Sequence, residues 1–191
     1  MNGMTIRNTN RSWGSVAKAF HWIIVLLIIN QWVIAEHAAS LPKGPRLIAA
    51  LGWHKSFGIT ILLLAVLRLG WRWMNPVPDL AAETKPWERT LAKLSHGLLY
   101  ALIFLLPLSG WMMSSARSFP VSWFGLLQLP DLVTPDPALF ERLRDLHHLL
   151  FKVLVVVAAL HVAGALKHHF IDRNDVLRRM LPFGRVKDHH D

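Results

Sequence analysis

Imidazole is the main metal donor this sequence offers, since it holds eleven histidines and no cysteine. The missing thiols exclude disulfides, thiolate-bound clusters, a Cys nucleophile and thioether-attached haem. Nitrogen or oxygen must hold any metal. His147 and His161 lie in the last long apolar run, 14 residues apart. On a helix that spacing leaves them about 40° apart around the axis and about 21 Å apart along it. They share one face at two depths. Substituting His148 for His147 puts the second ring on nearly the opposite side, so the pattern selects His147. If the helix crosses hydrocarbon about 30 Å thick, one imidazole lies near each membrane surface.

The rest of the chain has to supply what faces those two rings. Of its 191 residues, 53% are hydrophobic and 17% charged, with a formal net charge of +9. That composition, with a positive mean hydropathy, belongs to a membrane protein. The basic residues sit at the ends of apolar runs and form no stripe with interleaved aromatics, which argues against nucleic acid as a partner. The expected fold is all-α, an integral membrane four-helix bundle. Its helices are read at about Val16–Ala38, Leu47–Trp73, Trp87–Ser115 and Leu139–Phe170, the third with Pro107 inside. The first run is short enough to resemble a signal-peptide core ahead of Ala38-Ala39-Ser40, a reading that would discard His21.

Polar or Pro-rich connections join the helices. Pro42, Lys43, Gly44 and Pro45 break the first from the second, and Asn75-Pro76-Val77-Pro78 ends the second. Arg68, Trp71, Arg72 and Trp73 look suited to the interface. The apolar, aromatic stretch from Val121 to Pro130 is too short to span and reads as lying on the membrane surface. Residues 1–15 read as a frayed N-terminal tail, and the segment after Phe170 as a basic tail with Arg173, Arg178, Arg179, Arg185 and Lys187. Of 21 Lys and Arg, about fourteen fall on the side of both termini and the second connection, which places the termini in the cytoplasm.

Helix direction then assigns depth. His21, near the start of the first helix, shares a level with His161. His54, in the second, shares the other level with His147. Each level offers two imidazoles from different helices, an arrangement that can hold an iron porphyrin with both axial positions filled. Gly58 and Gly164 lie near the faces of His54 and His161 and could leave room for a macrocycle. His96, in the third helix, sits at the level of His21 and His161, so three candidates compete there for two positions. His148 reads as a helix-surface residue, and His37, His169, His189 and His190 as interfacial or solvated. His168, seven residues beyond His161, could approach a propionate or a quinone head group.

The runs Ala19-Phe20-His21-Trp22, Trp53-His54-Lys55-Ser56-Phe57-Gly58, Leu94-Ser95-His96-Gly97-Leu98-Leu99-Tyr100, Leu146-His147, Leu160-His161-Val162 and Lys167-His168-His169-Phe170 resemble the bacterial cytochrome b561 family. That family is related to the cytochrome b subunits of nickel hydrogenases and formate dehydrogenases. The resemblance implies two b-type haems in a domain over residues 16–181, with residues 182–191 as a polar C-terminal tail. Carried over by residue, His21 with His161 would hold the cytoplasmic-side haem and His54 with His147 the outer-side haem. His96 then becomes a non-ligand near the cytoplasmic haem, and His168 and Lys55 are candidates for propionate or second-layer contacts. The long connection from Ala116 to Pro137 departs most from the family.

A bis-histidine haem has no open position for oxygen chemistry, so the expected function is outer-sphere, one-electron transfer across the bacterial inner membrane. The resemblance adds ubiquinone at one end and a periplasmic or membrane redox partner at the other. A second version is a superoxide:ubiquinone oxidoreductase. It needs a cationic funnel near the outer haem, for which Lys43, Arg46, Lys55, Arg117, Arg142 and Arg144 are candidates. A third reading, of another class, is a non-redox membrane protein whose histidines bind zinc or shuttle protons. Zinc favours four ligands, and Glu36 is the one nearby carboxylate that could supplement the imidazoles.

Overall fold

A computed structural model of the chain describes residues 5–79 and 84–182. Arg185, Lys187, His189 and His190 lie outside the described residues. Four long helices dominate the rest: α1 (Ser15–Ser40), α2 (Pro45–Trp73), α3 (Pro86–Ala116) and α4 (Pro137–Phe170). All four are long and apolar enough to cross a bilayer. Their ends fall close to the expected ones because the sequence marks them. Pro45, Pro86 and Pro137 each stand at a first helical position, where the missing N–H leaves no hydrogen bond unmade. The Asp136 carboxylate caps α4, accepting the N–H groups of Ala138 (2.8 Å) and Leu139 (3.1 Å). Lys167, His168 and His169 close the helix in its last turn, where positive charge meets the negative end of the helix dipole.

Large apolar side chains point away from the protein. Leu26 is 63% exposed, Leu160 65% and Trp73 79%, more bare hydrocarbon along long helices than water tolerates. The protein is thus mostly helical, with the makeup of a membrane helical bundle. One amendment to an all-α fold is needed: β1 (Val121–Trp123) and β2 (Leu127–Leu129) pair antiparallel, with Val121 opposite Leu129 and Trp123 opposite Leu127.

The chain divides into two compact units. One comprises Ile24–Val66 and Tyr100–Leu154. Its core packs Ile24, Ala65 and Ile103, surrounded by Ile28, Leu64, Tyr100 and Phe104. The hairpin belongs to this unit, in the stretch read from sequence as a surface-lying segment. Phe124 and Gly125 turn it with left-handed backbone (φ 51° and 73°), the conformation a tight hairpin turn demands. Ser56 of α2 seats it. The Ser56 Oγ accepts the Phe124 N–H (3.0 Å), and its own proton is shared between the Gly52 (2.9 Å) and Ser122 (3.1 Å) carbonyls. Trp123 Nε1 donates to Thr60 Oγ1 (3.1 Å), and Trp53, Phe57 and Phe124 form an aromatic cluster beside it.

The other unit comprises Met1–Ile23, Leu67–Leu99 and Val155–Asp191. Here the expectation of a frayed N-terminus fails over residues 5–14. That segment folds back on the start of α1, with Ser15 N donating to Thr5 O (2.9 Å). Asn8 is buried and links Gly14 N to Pro76 O through its amide. Only glycine fits at position 14, since a Cβ would lie 2.4 Å from the Ile6 carbonyl oxygen. The segment after Phe170 is also more structured than a basic tail: a short helix, α5 (Val176–Met180), follows. Trp22 Nε1 donates to its Met180 carbonyl (2.9 Å), and Arg179 donates to the Asp79 carbonyl (3.0 Å). Polar partners distant in sequence anchor both segments, a signal that hydropathy does not carry.

Candidate functional site

The four histidines selected by spacing come together two by two. In the first unit described, the His54 ring of α2 and the His147 ring of α4 have centroids 6.3 Å apart, with planes at 72°. In the second unit, His21 of α1 and His161 of α4 lie 6.4 Å apart at 69°. These separations have a chemical meaning. A metal–imidazole bond is about 2 Å, and the centre of a five-membered ring with bonds of about 1.33 Å lies about 1.1 Å from its nitrogen. Two imidazoles on opposite sides of one metal ion therefore have centres about 6.3 Å apart. Both pairs match that span.

His96 of α3 also reaches the second site, its ring centroid 5.1 Å from that of His161. Three imidazoles thus meet there, as the sequence anticipates. The 5.1 Å separation is too short for rings facing each other across an ion, so His96 stands beside the pair.

A ligating His needs its outward nitrogen held, because the hydrogen bond there fixes tautomer and ring orientation. His147 has such a hold. Its Nδ1 lies 2.9 Å from Ser109 Oγ, and that hydroxyl donates to the Leu106 carbonyl at 2.8 Å. With its own proton on the Leu106 carbonyl, Ser109 is placed to accept the Nδ1 proton, and that carbonyl also faces the ring; this tautomer leaves Nε2 free to bind a metal. The next residue, Gly110, gives the ring its place, since a Cβ there would sit 3.2 Å from His147 Cε1. His21 differs. Its Nδ1 faces an Arg68 Nη2 at 3.3 Å, and a guanidinium only donates. In that arrangement the neutral ring carries its proton on Nε2. Binding a metal through Nε2 then requires Arg68 to give up this contact.

Arg68 reads from sequence as an interfacial residue, yet it points at His21. Gln31, Ser109 and Gly110 also escape a reading built on histidine spacing. A polar amide inside the apolar run of α1 is the signal that could have found Gln31. Its Nε2 donates to the His54 carbonyl at 2.9 Å. Of the two glycines expected to leave room, Gly164 opens onto free space, whereas Gly58 faces the Gln31 amide at 3.3 Å from its would-be Cβ.

The remaining candidates are otherwise engaged. Lys55 Nζ donates to the Pro120 carbonyl (3.1 Å) and lies over the Phe119 ring. His168 Nδ1 pairs with Asp172 Oδ2 at 2.7 Å, in a cluster where Lys167 Nζ bridges Glu88 (2.6 Å) and Asp172 (2.7 Å). The Lys167 ammonium holds the Asp172 carboxyl below the usual carboxylate range; partial burial opposes it and His168 adds to it. Among the described residues, Glu88, His168 and Asp172 are the one group of three or more His, Cys or acidic side chains close enough to share an ion, and an ammonium already serves them. Arg144 pairs with Glu141 and Asp145, Arg117 lies over the Phe140 ring, and Glu36 accepts from Trp32 Nε1.

Four membrane-length helices that bring four histidines together as two close imidazole pairs have the makeup of a helical membrane protein. Comparison with known proteins supplies the lineage. Residues 12–183 match the model of a family described as prokaryotic cytochrome b561. The chain is 32% identical over 185 residues to cytochrome b561 homolog 2 of Escherichia coli K12, covering 93% of this chain and 95% of that protein. It is 28% identical over 177 residues to a probable superoxide oxidase, CybB, of Yersinia pestis, covering 91% and 97%. Cytochrome b561 homolog 1 of Escherichia coli K12 is 26% identical over 163 residues, covering 85% and 92%. The chain belongs to the prokaryotic cytochrome b561 family. Membership brings b-type haem binding and membrane electron transfer with it.

Proposed function

We propose that this chain is a dihaem membrane cytochrome that passes single electrons across the bacterial inner membrane and exchanges them with the quinone pool. His21 and His161 hold the cytoplasmic-side haem, and His54 and His147 the outer-side haem, with both termini in the cytoplasm. The observation that carries this reading is the near-equal span of the two imidazole pairs, 6.4 and 6.3 Å. When bound, haem b would supply a one-electron couple, with His21, His161, His54 and His147 as the residues that would hold it.

The chain's own residues do the positioning. Ser109 and Gly110 fix the His147 ring, and Gln31 braces the backbone of His54. Arg68 stands at the His21 side as a charge able to pair with an anionic carboxylate once it leaves the ring. His96, beside the cytoplasmic pair, is a neighbour of that haem rather than a ligand.

The test is a dithionite-reduced minus air-oxidised optical spectrum of detergent-purified protein, with haem quantified as the pyridine haemochrome. Low-spin b-type bands and about two haems per chain are expected. A colourless protein made with ample haem supply overturns the assignment and favours the zinc or proton-shuttle reading. The superoxide oxidase version is supported by the relative carrying that name. It predicts that superoxide generated outside reduces the bound haem and, with ubiquinone present, yields quinol; no reduction under a superoxide flux refutes it.

A further inference from the structure

We propose that Gln31 is a positioning residue for the outer haem, its side-chain oxygen taking the His54 Nδ1 proton when His54 Nε2 binds iron. The inference rests on the dihaem reading and adds to it a side-chain acceptor for His54 besides the Gln31 backbone carbonyl, which already faces its ring. A primary amide within the apolar stretch of α1 is costly in a bilayer unless its polar atoms are used. Half of this one is in use: Nε2 donates to the His54 carbonyl at 2.9 Å. The other half is not. Gln31 Oε1 and His54 Nδ1 are both buried and both lack a hydrogen-bond partner among the described residues.

Those two unmet atoms are complementary, and the residues that carry them are already joined. A neutral imidazole bound through Nε2 keeps its proton on Nδ1, and ligating histidines almost always donate that proton to an acceptor that raises ligand basicity. His147 has its acceptor in Ser109. For His54, Gln31 offers two acceptors, the backbone carbonyl that faces the ring and the unmatched Oε1. Gly58 permits the approach, because a Cβ there would crowd the Gln31 amide at 3.3 Å.

An acceptor on Nδ1 makes the ligand more electron-rich and favours ferric iron, so removing it favours ferrous iron. The experiment is an optical redox titration of the purified holoprotein, with the outer component identified as the one missing from His54→Ala. In Gln31→Leu, the ferrous-to-ferric ratio of the outer haem at fixed ambient potential is expected to rise about tenfold, equivalent to about 59 mV for one electron, while the cytoplasmic haem stays put. Gln31→Glu keeps an acceptor but loses the donor to the His54 carbonyl, and its outer potential is expected to move the opposite way. Outer potentials unchanged in both variants, or moving upward together, overturn the proposal, since the residue would then act only as a backbone brace. Should Gln31→Leu fail to retain the outer haem, the direction in Gln31→Glu decides. A wild-type protein without haem defeats the dihaem reading itself; two haems with an unmoved outer potential defeat this inference alone.

Discussion

Replacing Ser109 by alanine removes one oxygen atom and should weaken one haem of two. Ser109 is 5% exposed, so water cannot readily take over the role of its hydroxyl. Its Oγ stands 2.9 Å from His147 Nδ1, and without it the Nδ1 proton keeps only the Leu106 carbonyl as an acceptor. Losing one buried hydrogen bond costs about 0.5–1.5 kcal/mol, and loss of the outer partner of a ligating His typically lowers affinity about 10–100-fold. The two scales meet at about 1.4 kcal/mol, a factor of ten. Gly110 narrows the ring's escape, since its backbone lies close against the imidazole. The assay is haem transfer from purified protein to excess apomyoglobin, followed by loss of the b-type bands. In Ser109→Ala one of two kinetic phases should accelerate by about an order of magnitude, and the phase belonging to His21 and His161 should not change. Two phases indistinguishable from wild type would refute the claim that Ser109 orients a ligand.

Three other outcomes follow from the same geometry. His54→Ala should lose close to half of the haem per chain, and unchanged content in the haemochrome assay would sink the pairing with His147. Gly110→Ala brings a Cβ to 3.2 Å from His147 Cε1 and 3.5 Å from Nδ1; the ring must give way by a few tenths of an ångström, and the low-spin ferric EPR signal of that haem alone should shift. Asp172→Asn tests the Lys167 cluster. The Asp172 carboxyl is held below its ordinary value when folded, so its contribution to stability is complete above the unfolded value of about 3.9 and fades only as pH falls through the depressed one. Thermal unfolding in detergent should therefore separate wild type from Asp172→Asn at neutral pH and bring them together in strong acid. A gap that persists unchanged in strong acid would rule out this linkage.

The helices and the histidine pairs are legible because both rest on periodic, local signals. Long apolar runs bounded by Pro45, Pro86 and Pro137 mark their own ends, and fourteen residues of one helix carry His147 and His161 onto a common face. What resisted was whatever depends on partners distant in sequence. Ser109 meets His147 across 38 positions and Gln31 meets His54 across 23, and no pattern in either stretch announces the contact. Arg68 stands near the end of α2, a position that suits the interface, and its contact with His21 emerges only when the two helices pack. The hairpin escapes sequence reading because each strand is only three residues long, Val121-Ser122-Trp123 and Leu127-Gln128-Leu129, too short for its apolar-polar-apolar alternation to register as a period. The folded-back N-terminus depends on the Asn8 amide and the bare backbone of Gly14, neither of which registers in hydropathy.

The His54–His147 separation is set by structure around the rings. Ser109 and Gly110 hold one imidazole, the α1–α2 contact through Gln31 braces the other, and the packing of Ile24, Ala65 and Ile103 keeps the three helices of that core together. Ligands fixed from outside the metal change little in length or angle when an electron arrives or leaves. Supports arranged in advance spare the protein from rearranging at the moment of reaction. If the pair holds haem as proposed, little nuclear motion would accompany each transfer and reorganisation energy would stay low. Distance and driving force are left to govern the rate.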